Sequence, residues 1–155
     1  MKTASRAARN IVLPLERNLV HHFVRIVNAL NIKLGERIRF LNLSVNQFRV
    51  LQILYEHDGL IISELCKQCV ITQAVFSRVL QQVERRKLVK RVQDSCDKRS
   101  YRTWLTPRGV ATYEAAVPFA CQLLNDICDG LDAAEVTRLI DVIAMIDRKV
   151  SPGAE

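Results

Sequence analysis

Long apolar runs, glycine and proline are all scarce in this sequence, and their scarcity excludes several classes of protein. The 155 residues include only 5 Gly and 4 Pro, while 49% are apolar and 25% are charged. This is the composition of an ordinary globular chain, so disordered, collagen-like and mucin-like proteins are excluded. No run approaches the roughly 18 apolar residues that span a bilayer. The first apolar run, Ile11–Leu15, already contains Pro14.

Cysteine is present in an odd number and at spacings that form no obvious disulfide framework. Free thiols in a reducing compartment are the simpler interpretation of five cysteines. The start of the chain also lacks the apolar segment of a signal peptide, so we expect a cytoplasmic protein with no membrane partner. Cys66 and Cys69 form a C-x-x-C pair, but no second Cys or His pair follows at zinc-finger spacing. We therefore expect buried core thiols here rather than a metal site.

The residue combinations of common enzyme sites are missing too. The sequence contains no Ser, His, Asp array, no paired carboxylates within an apolar segment and no glycine-rich phosphate loop. We therefore expect a protein that is not an enzyme and that needs no cofactor or metal.

Positive charge is concentrated in one segment of the chain. Residues Thr72–Arg108 carry ten basic and three acidic side chains, so their net charge of +7 equals that of the whole chain. The other 118 residues are neutral overall. This distribution favours a nucleic-acid footprint, because each cation placed on a phosphate releases condensed counterions. A solvated charged surface is the alternative that the charge pattern alone leaves open.

Apolar residues at both ends of the chain predict long helices. They recur at steps of three and four over Leu15–Leu41, over Val110–Cys128 and, after a cap at Asp132, over Val136–Val150. These segments are more apolar than a lone domain of this length needs. We therefore expect them to form the intertwined interface of a homodimer.

Three helices are predicted between these terminal segments. A capping box at Ser44 and Gln47 opens a helix that runs to about His57. A short helix follows over Ser63–Cys69, and a third covers Gln73–Lys87. One side of the third helix is apolar and packs on a core. Its opposite side carries Gln73, Ala74, Ser77, Arg78, Gln81 and Arg85.

A basic β-hairpin is predicted next. The strand Leu88–Gln93 is rich in β-branched and basic residues, the strand Tyr101–Leu105 is rich in aromatic and β-branched residues, and the two flank a polar loop. Two strands alone are marginally stable, so this hairpin must pack on the helices. Three helices and a basic hairpin form a winged helix-turn-helix, in which one helix reads the major groove and the hairpin reaches phosphates or the minor groove. The predicted fold is mostly α with a small β-hairpin wing.

Two motifs in this middle part resemble the multiple-antibiotic-resistance regulator (MarR) family. The letters DKR at Asp97–Arg99, followed by LTPRG at Leu105–Gly109, are similar to the family's wing signature D-x-R…L-T-x-x-G. The letters FSRVL at Phe76–Leu80 and ERRKLV at Glu84–Val89 are similar to its recognition helix and the strand that follows. Both motifs stand at the correct separation, which makes the resemblance specific.

The resemblance implies a homodimeric transcriptional regulator, usually a repressor, that binds a palindromic DNA operator and is released by a small molecule. It implies a single domain over 1–155, with a winged helix-turn-helix at 42–106 and dimerisation helices at 11–41 and 107–150. Arg99 would enter the minor groove, oriented by an ion pair with Asp97, and Lys98 would lie beside it at the DNA. Val70 and Lys87 depart from the family pattern, since glycine is usual at both positions.

The first helix indicates where an effector binds. Its apolar surface is interrupted by His22, Arg25 and Asn28. Arg25 and Asn28 resemble positions that bind anionic aromatic ligands in some relatives. We therefore expect a small anionic aromatic effector between this helix and the helix-turn-helix. A solvated or dimer-interface role for the same residues stays open.

Two other functions stay open as well. One is a thiol-based redox regulator on the same scaffold, with Cys96 or a C-terminal cysteine as the switch; the cations beside Cys96 favour its reactive thiolate. The other is a winged-helix module that binds protein or RNA. A steep salt dependence and a strong preference for one palindrome would distinguish duplex recognition from that second alternative.

Overall fold

The computed structural model describes Leu15, residues 18–94 and residues 97–150. It confirms a mostly α fold with a small β-wing, and it divides the chain after residue 120 into two compact units. Among the described residues, no helix is both long and apolar enough to span a membrane. In chain order the elements are α1 (Leu19–Ile38), a 3-10 turn (Arg39–Leu41), α2 (Val45–Glu56), β1 (Leu60–Ile61), α3 (Ile62–Gln68), α4 (Gln73–Arg85), β2 (Val89–Gln93), β3 (Tyr101–Leu105), α5 (Pro107–Ile127) and α6 (Ala133–Val150).

Side-chain caps set where the first two helices begin. The Asn18 Oδ1 accepts a hydrogen bond from the His21 N–H (3.2 Å), so α1 begins later than the apolar periodicity from Leu15 predicts. The predicted capping box of α2 is confirmed. The Ser44 Oγ accepts from the Gln47 N–H (3.2 Å), and the Gln47 Oε1 accepts from the Ser44 N–H (3.1 Å).

A third strand joins the predicted hairpin. Strands β2 and β3 pair antiparallel with Val89 opposite Leu105, and β1 pairs with the other edge of β3 with Leu60 opposite Thr103. Strand β1 was not predicted from the sequence, because two residues are too few for any periodicity. The resulting order β1-β3-β2 attaches the wing to the strand that leads directly into α3.

The core of the first unit lies under α4. Phe76, Val79, Leu80 and Val83 are buried there, which confirms the predicted apolar side of this helix. Cys69 belongs to the same core, as predicted, and Cys66 is half-buried against it. Desolvation by burial raises the pKa of the Cys69 thiol to about 11. This thiol is therefore neutral and a poor nucleophile near pH 7, whereas Cys96 lies outside the described residues.

Helices α1 and α6 keep large apolar side chains exposed in the single chain. On α1 these include Val20 (68%) and Ile32 (63%), and on α6 they include Ile140 (60%) and Val150 (71%). Apolar surface of this extent is typical of helices that pack on a second molecule.

Val70 and Lys87, which stand where the family usually has glycine, both adopt the left-handed conformation that glycine favours. Their φ angles are 51° and 57°. At Lys87 the end of α4 is closed by hydrogen bonds from the Leu88 N–H to the Val83 carbonyl (2.9 Å) and from the Lys87 N–H to the Glu84 carbonyl (2.8 Å). The turn geometry is thus preserved, at a conformational cost of about 1–2 kcal/mol for each residue.

Val70→Gly is expected to raise the free energy of unfolding by about 1 kcal/mol, after subtraction of the greater entropy of an unfolded glycine. The Val70 side chain is 87% exposed, so its removal sacrifices little burial. Urea unfolding of Val70→Gly and Val70→Ala measures this effect. Alanine keeps the Cβ and should recover less than half of the gain. Equal effects of the two substitutions would show that the backbone conformation is not the cause.

Candidate nucleic-acid interface

Helix α4 exposes the side that the sequence analysis assigned to DNA. Thr72 caps the helix through its Oγ1, which accepts from the Val75 N–H (3.4 Å). Because the apolar stripe of α4 is buried, its opposite side faces solvent. The Ser77 hydroxyl donates to the Gln73 carbonyl (2.9 Å), which leaves its oxygen as an acceptor. All six predicted residues are exposed: Gln73, Ala74, Ser77, Arg78, Gln81 and Arg85.

The tip of the wing is shaped by carboxylates that accept from its backbone. In place of the predicted ion pair, the Asp97 Oδ1 accepts a hydrogen bond from the Arg99 backbone N–H (2.9 Å). The Asp97 N–H in turn donates to the Asp94 Oδ1 (3.2 Å). Asp97 therefore fixes the main chain, while the side chains of Lys98 and Arg99 are exposed.

The base of the wing is held by Arg102. Its Nε forms an ion pair with the Oδ2 of Asp94, whose side chain is buried. Its Nη1 donates to the Gly59 carbonyl (2.9 Å), next to β1. The guanidinium of Arg102 thus connects the start of the wing loop, at Asp94, to the residue directly before β1, Gly59.

Three of the ten cations in the basic segment are therefore bound to acceptors of the chain itself. Arg102 is the first. Arg91 on β2 pairs with Glu84 on α4 (2.7 Å), and Arg86 donates to the backbone carbonyls of Leu41 and Asn42. A sequence shows charge but not such partners, so these structural roles were missed.

The recognition side of α4 and the wing tip meet at one cavity. Gln73 and Ser77 from α4 and Arg99 from the wing line a space of about 500 Å³, together with Ser63 and Cys66 of α3. The structure therefore brings together residues that lie more than twenty positions apart in sequence. Six other predicted residues are exposed but lie outside that lining: Ala74, Arg78, Gln81, Arg85, Asp97 and Lys98.

The predicted effector residues are gathered less tightly. His22 and Arg25 are exposed on α1, and Asn28 lines a shallow cavity of about 280 Å³ with Val27. A larger cavity of about 470 Å³ lies between α1, α2 and the turn after α3. Its cation is Arg49, whose Nη2 donates to the Asn31 Oδ1 (2.8 Å) and which the sequence analysis did not single out.

Comparison with known proteins identifies the family. A family model described as MarR family matches residues 41–100, which cover α2 to the wing tip. Transcriptional regulator HosA of Escherichia coli is 30% identical over 94 residues, or 61% of this chain and 70% of HosA. The chain belongs to the MarR family. MarR-family proteins are transcriptional regulators rather than enzymes.

Solved structures agree over most of the chain. A MarR-family transcriptional regulator from Silicibacter pomeroyi superposes with a TM-score of 0.82 at 28% identity, covering 95% of this chain and 98% of that one. Bordetella bronchiseptica BpsR gives a TM-score of 0.67 at 25% identity over 81% of this chain and 98% of BpsR. The BpsR structure concerns the regulation of its DNA binding by 6-hydroxynicotinic acid. The structural likeness to the Silicibacter pomeroyi regulator thus extends beyond the winged helix to the flanking helices.

Proposed function

We propose that this MarR-family regulator binds a palindromic DNA operator as a homodimer and represses transcription until a small anionic aromatic molecule releases it. The observation that carries the proposal is the convergence of Gln73, Ser77 and Arg99 on one exposed cavity of the basic segment. An α-helix with polar side chains fits the major groove, and an arginine beside it reaches the minor groove or phosphates. Duplex nucleic acid is the polyanion whose grooves and phosphates suit both the polar side of α4 and the arginine of the wing.

Helix and wing have different roles in this proposal. Gln73, Ser77 and Arg78 reach base edges and select the sequence, with Ala74 close enough for apolar contact to a thymine methyl. Gln81 and Arg85 lie one and two turns further along α4, where they contact the DNA backbone. Lys98 and Arg99 bind phosphates and the negative potential of the minor groove, which carry little base information.

Dimerisation supplies the second recognition helix, which binds the other half-site of the operator. The exposed apolar residues of α1 and α6 are proposed to pack against a second copy of the chain. Two recognition helices must then be about 34 Å apart, because successive major-groove sites on one side of DNA repeat at that distance. A palindromic operator follows from this two-fold symmetry.

The effector is proposed to bind beside α1. The cavity between α1 and α2 has apolar walls from Val27 and Ile53, a cation at Arg49 and a carboxylate at Glu56, so an aromatic acid would place its own carboxylate at Arg49 and away from Glu56. Asn28 lies on the adjacent surface of α1, and His22 and Arg25 lie one to two turns before it. The likeness to BpsR supports this ligand class, since 6-hydroxynicotinic acid is an aromatic acid. Such a ligand acts only by favouring a dimer whose helices are wrongly spaced for DNA.

The roles of wing and helix are tested by binding-site selection from random duplexes. Arg99→Ala should lower the affinity for the operator about 10-fold while the selected bases stay the same, because phosphate contacts carry little sequence information. Ser77→Ala and Arg78→Ala should change the selected bases, since a good base contact contributes about 1–3 kcal/mol of discrimination. Arg99→Ala altering the selected bases as strongly as Ser77→Ala would reverse the roles. Tight binding to RNA in place of any duplex would overturn the proposed function.

Release is tested by titrating 6-hydroxynicotinic acid and related aromatic acids into the operator complex, with peroxide in parallel. The acids should release the parent protein and a variant with all five cysteines replaced by serine equally well. Arg49→Met should weaken release by acids about 10-fold, the loss expected for one charge-assisted hydrogen bond. Release by peroxide alone, lost in the cysteine-free protein, would replace this mechanism with a thiol switch.

A further inference from the structure

Arg86 directly follows the last residue of α4 as its C-cap, and its side chain contacts the junction between α1 and α2. Its Nη1 donates to the Asn42 carbonyl (2.6 Å) and to the Gln47 Oε1 (3.2 Å), and its Nη2 donates to the Leu41 carbonyl (3.1 Å). The side chain is half-buried, whereas the neighbouring Arg85 is exposed. These two adjacent arginines therefore have opposite surroundings.

A second bond ties α4 to the same place. Gln47, which is 7% exposed, donates through its Nε2 to the Gln82 Oε1 (2.9 Å). Gln82 and Arg86 are four residues apart and so lie on one side of the helix. Two attachments separated by one helical turn fix the rotation of α4 about its axis as well as its distance from the α1–α2 junction.

We propose that Arg86 is a positioning residue that sets operator specificity without contacting DNA. It holds the recognition helix against Leu41 and Asn42, at the end of the 3-10 turn that follows α1, the helix assigned to dimerisation. The orientation of Ser77 and its neighbours in the major groove is thereby fixed relative to the dimerisation helix, and so relative to the second protomer. This inference rests on the proposed DNA binding.

The chemistry of the contact requires arginine. A planar guanidinium donates simultaneously to two carbonyls and an amide oxygen, whereas a single ammonium cannot reach all three with good geometry. Loss of the guanidinium removes one donor from each of its three acceptors, but Asn42 is exposed, Leu41 is only half-buried and Gln47 keeps its bonds to Ser44 and Gln82. We therefore expect variants at Arg86 to fold.

The test compares Arg86→Met, Arg86→Lys and the matched control Arg85→Met. Affinity is measured at several salt concentrations for the best duplex that the parent selects and for an unrelated duplex of the same length. Arg85→Met should weaken both duplexes alike and reduce the salt slope by about 0.9 for each lost phosphate contact, or about 1.8 for a dimer. Arg86→Met should keep the parent slope and the parent affinity for the unrelated duplex.

The ratio of the two affinities is the decisive readout. This ratio should fall about 10-fold in Arg86→Met. It should remain low in Arg86→Lys, because lysine restores the charge but not the three hydrogen bonds that orient α4. Partial unfolding lowers both affinities equally and leaves this ratio unchanged, so it cannot imitate the result. A reduced salt slope in Arg86→Met, or full recovery in Arg86→Lys, would make Arg86 a phosphate contact and overturn the inference alone. No preference of the parent for any duplex would instead overturn the proposed function on which it rests.

Discussion

Ile140→Glu on α6 is expected to yield a monomer with at least about 100-fold lower affinity for the operator, because a monomer reaches only one half-site and loses avidity. Ile140 is 60% exposed in the single chain, so the substitution leaves the fold of the protomer intact. In the proposed dimer it would bury two unpaired carboxylates, which costs several kcal/mol. Light scattering at low micromolar concentration and operator titration measure the two effects.

Arg138→Gln is the matched control for this experiment. It changes the net charge by the same amount, and it lies on the opposite side of α6 because two residues correspond to about 200° of helix rotation. The control should remain dimeric and bind the operator as the parent does. If Ile140→Glu still forms a dimer and binds the operator with parental affinity, α6 is not part of the dimer interface.

Gly109→Ala is expected to lower the free energy of unfolding by about 3 kcal/mol, at the upper end of overpacking effects. A Cβ at this position would overlap the carbonyl oxygen of Leu88 and lie 3.1 Å from the side chain of Leu105. The first atom belongs to the backbone of the turn into β2, so it cannot move aside as a flexible side chain would. Either α5 or the wing must shift.

Neighbouring hydrogen bonds make that shift costly. The Thr106 N–H donates to the same Leu88 carbonyl (3.0 Å), and the Thr106 Oγ1 accepts from the Gly109 N–H (3.0 Å). These contacts give a physical reason for the L-T-x-x-G spacing of the wing signature: leucine is buried, threonine caps α5, and glycine admits the carbonyl.

Urea unfolding of Gly109→Ala against Arg108→Ala measures this effect. Arg108 is exposed in the same helical turn, so its replacement should change stability by less than about 0.5 kcal/mol. The glycine variant should also lose operator affinity, because the base of the wing moves with the start of α5. A loss below about 1 kcal/mol would show that the backbone relaxes around the added methyl group.

Local chemistry made much of the fold predictable. The capping box at Ser44, the buried side of α4 and the two long strands all follow from interactions within a few residues of each other. The start of α1 was placed too early because apolar periodicity continues through Leu15, whereas the cap is at Asn18. Periodicity indicates which side is buried better than it indicates where a helix ends.

Partners distant in sequence could not be predicted. Arg86 bonds a carbonyl 45 residues away, and Arg102 bonds one that is 43 residues away. A cation's position in a basic run does not show which acceptor it meets after folding. The same holds for Arg49, which reaches the cavity beside α1 only because α2 packs there.

In the proposed DNA-binding function, the cations bound within the chain also influence how fast a target is found. With Arg86, Arg91 and Arg102 engaged, at most seven of the ten basic residues of each protomer remain to displace counterions from DNA. Since non-specific binding arises from counterion release, each lost phosphate contact shortens the time spent on an irrelevant stretch of genome. Sliding and hopping then cover more sites per second than the composition alone suggests. Under that proposal, the hydrogen bonds that fix the ends of α4 and the wing also leave fewer cations for non-specific contacts with DNA.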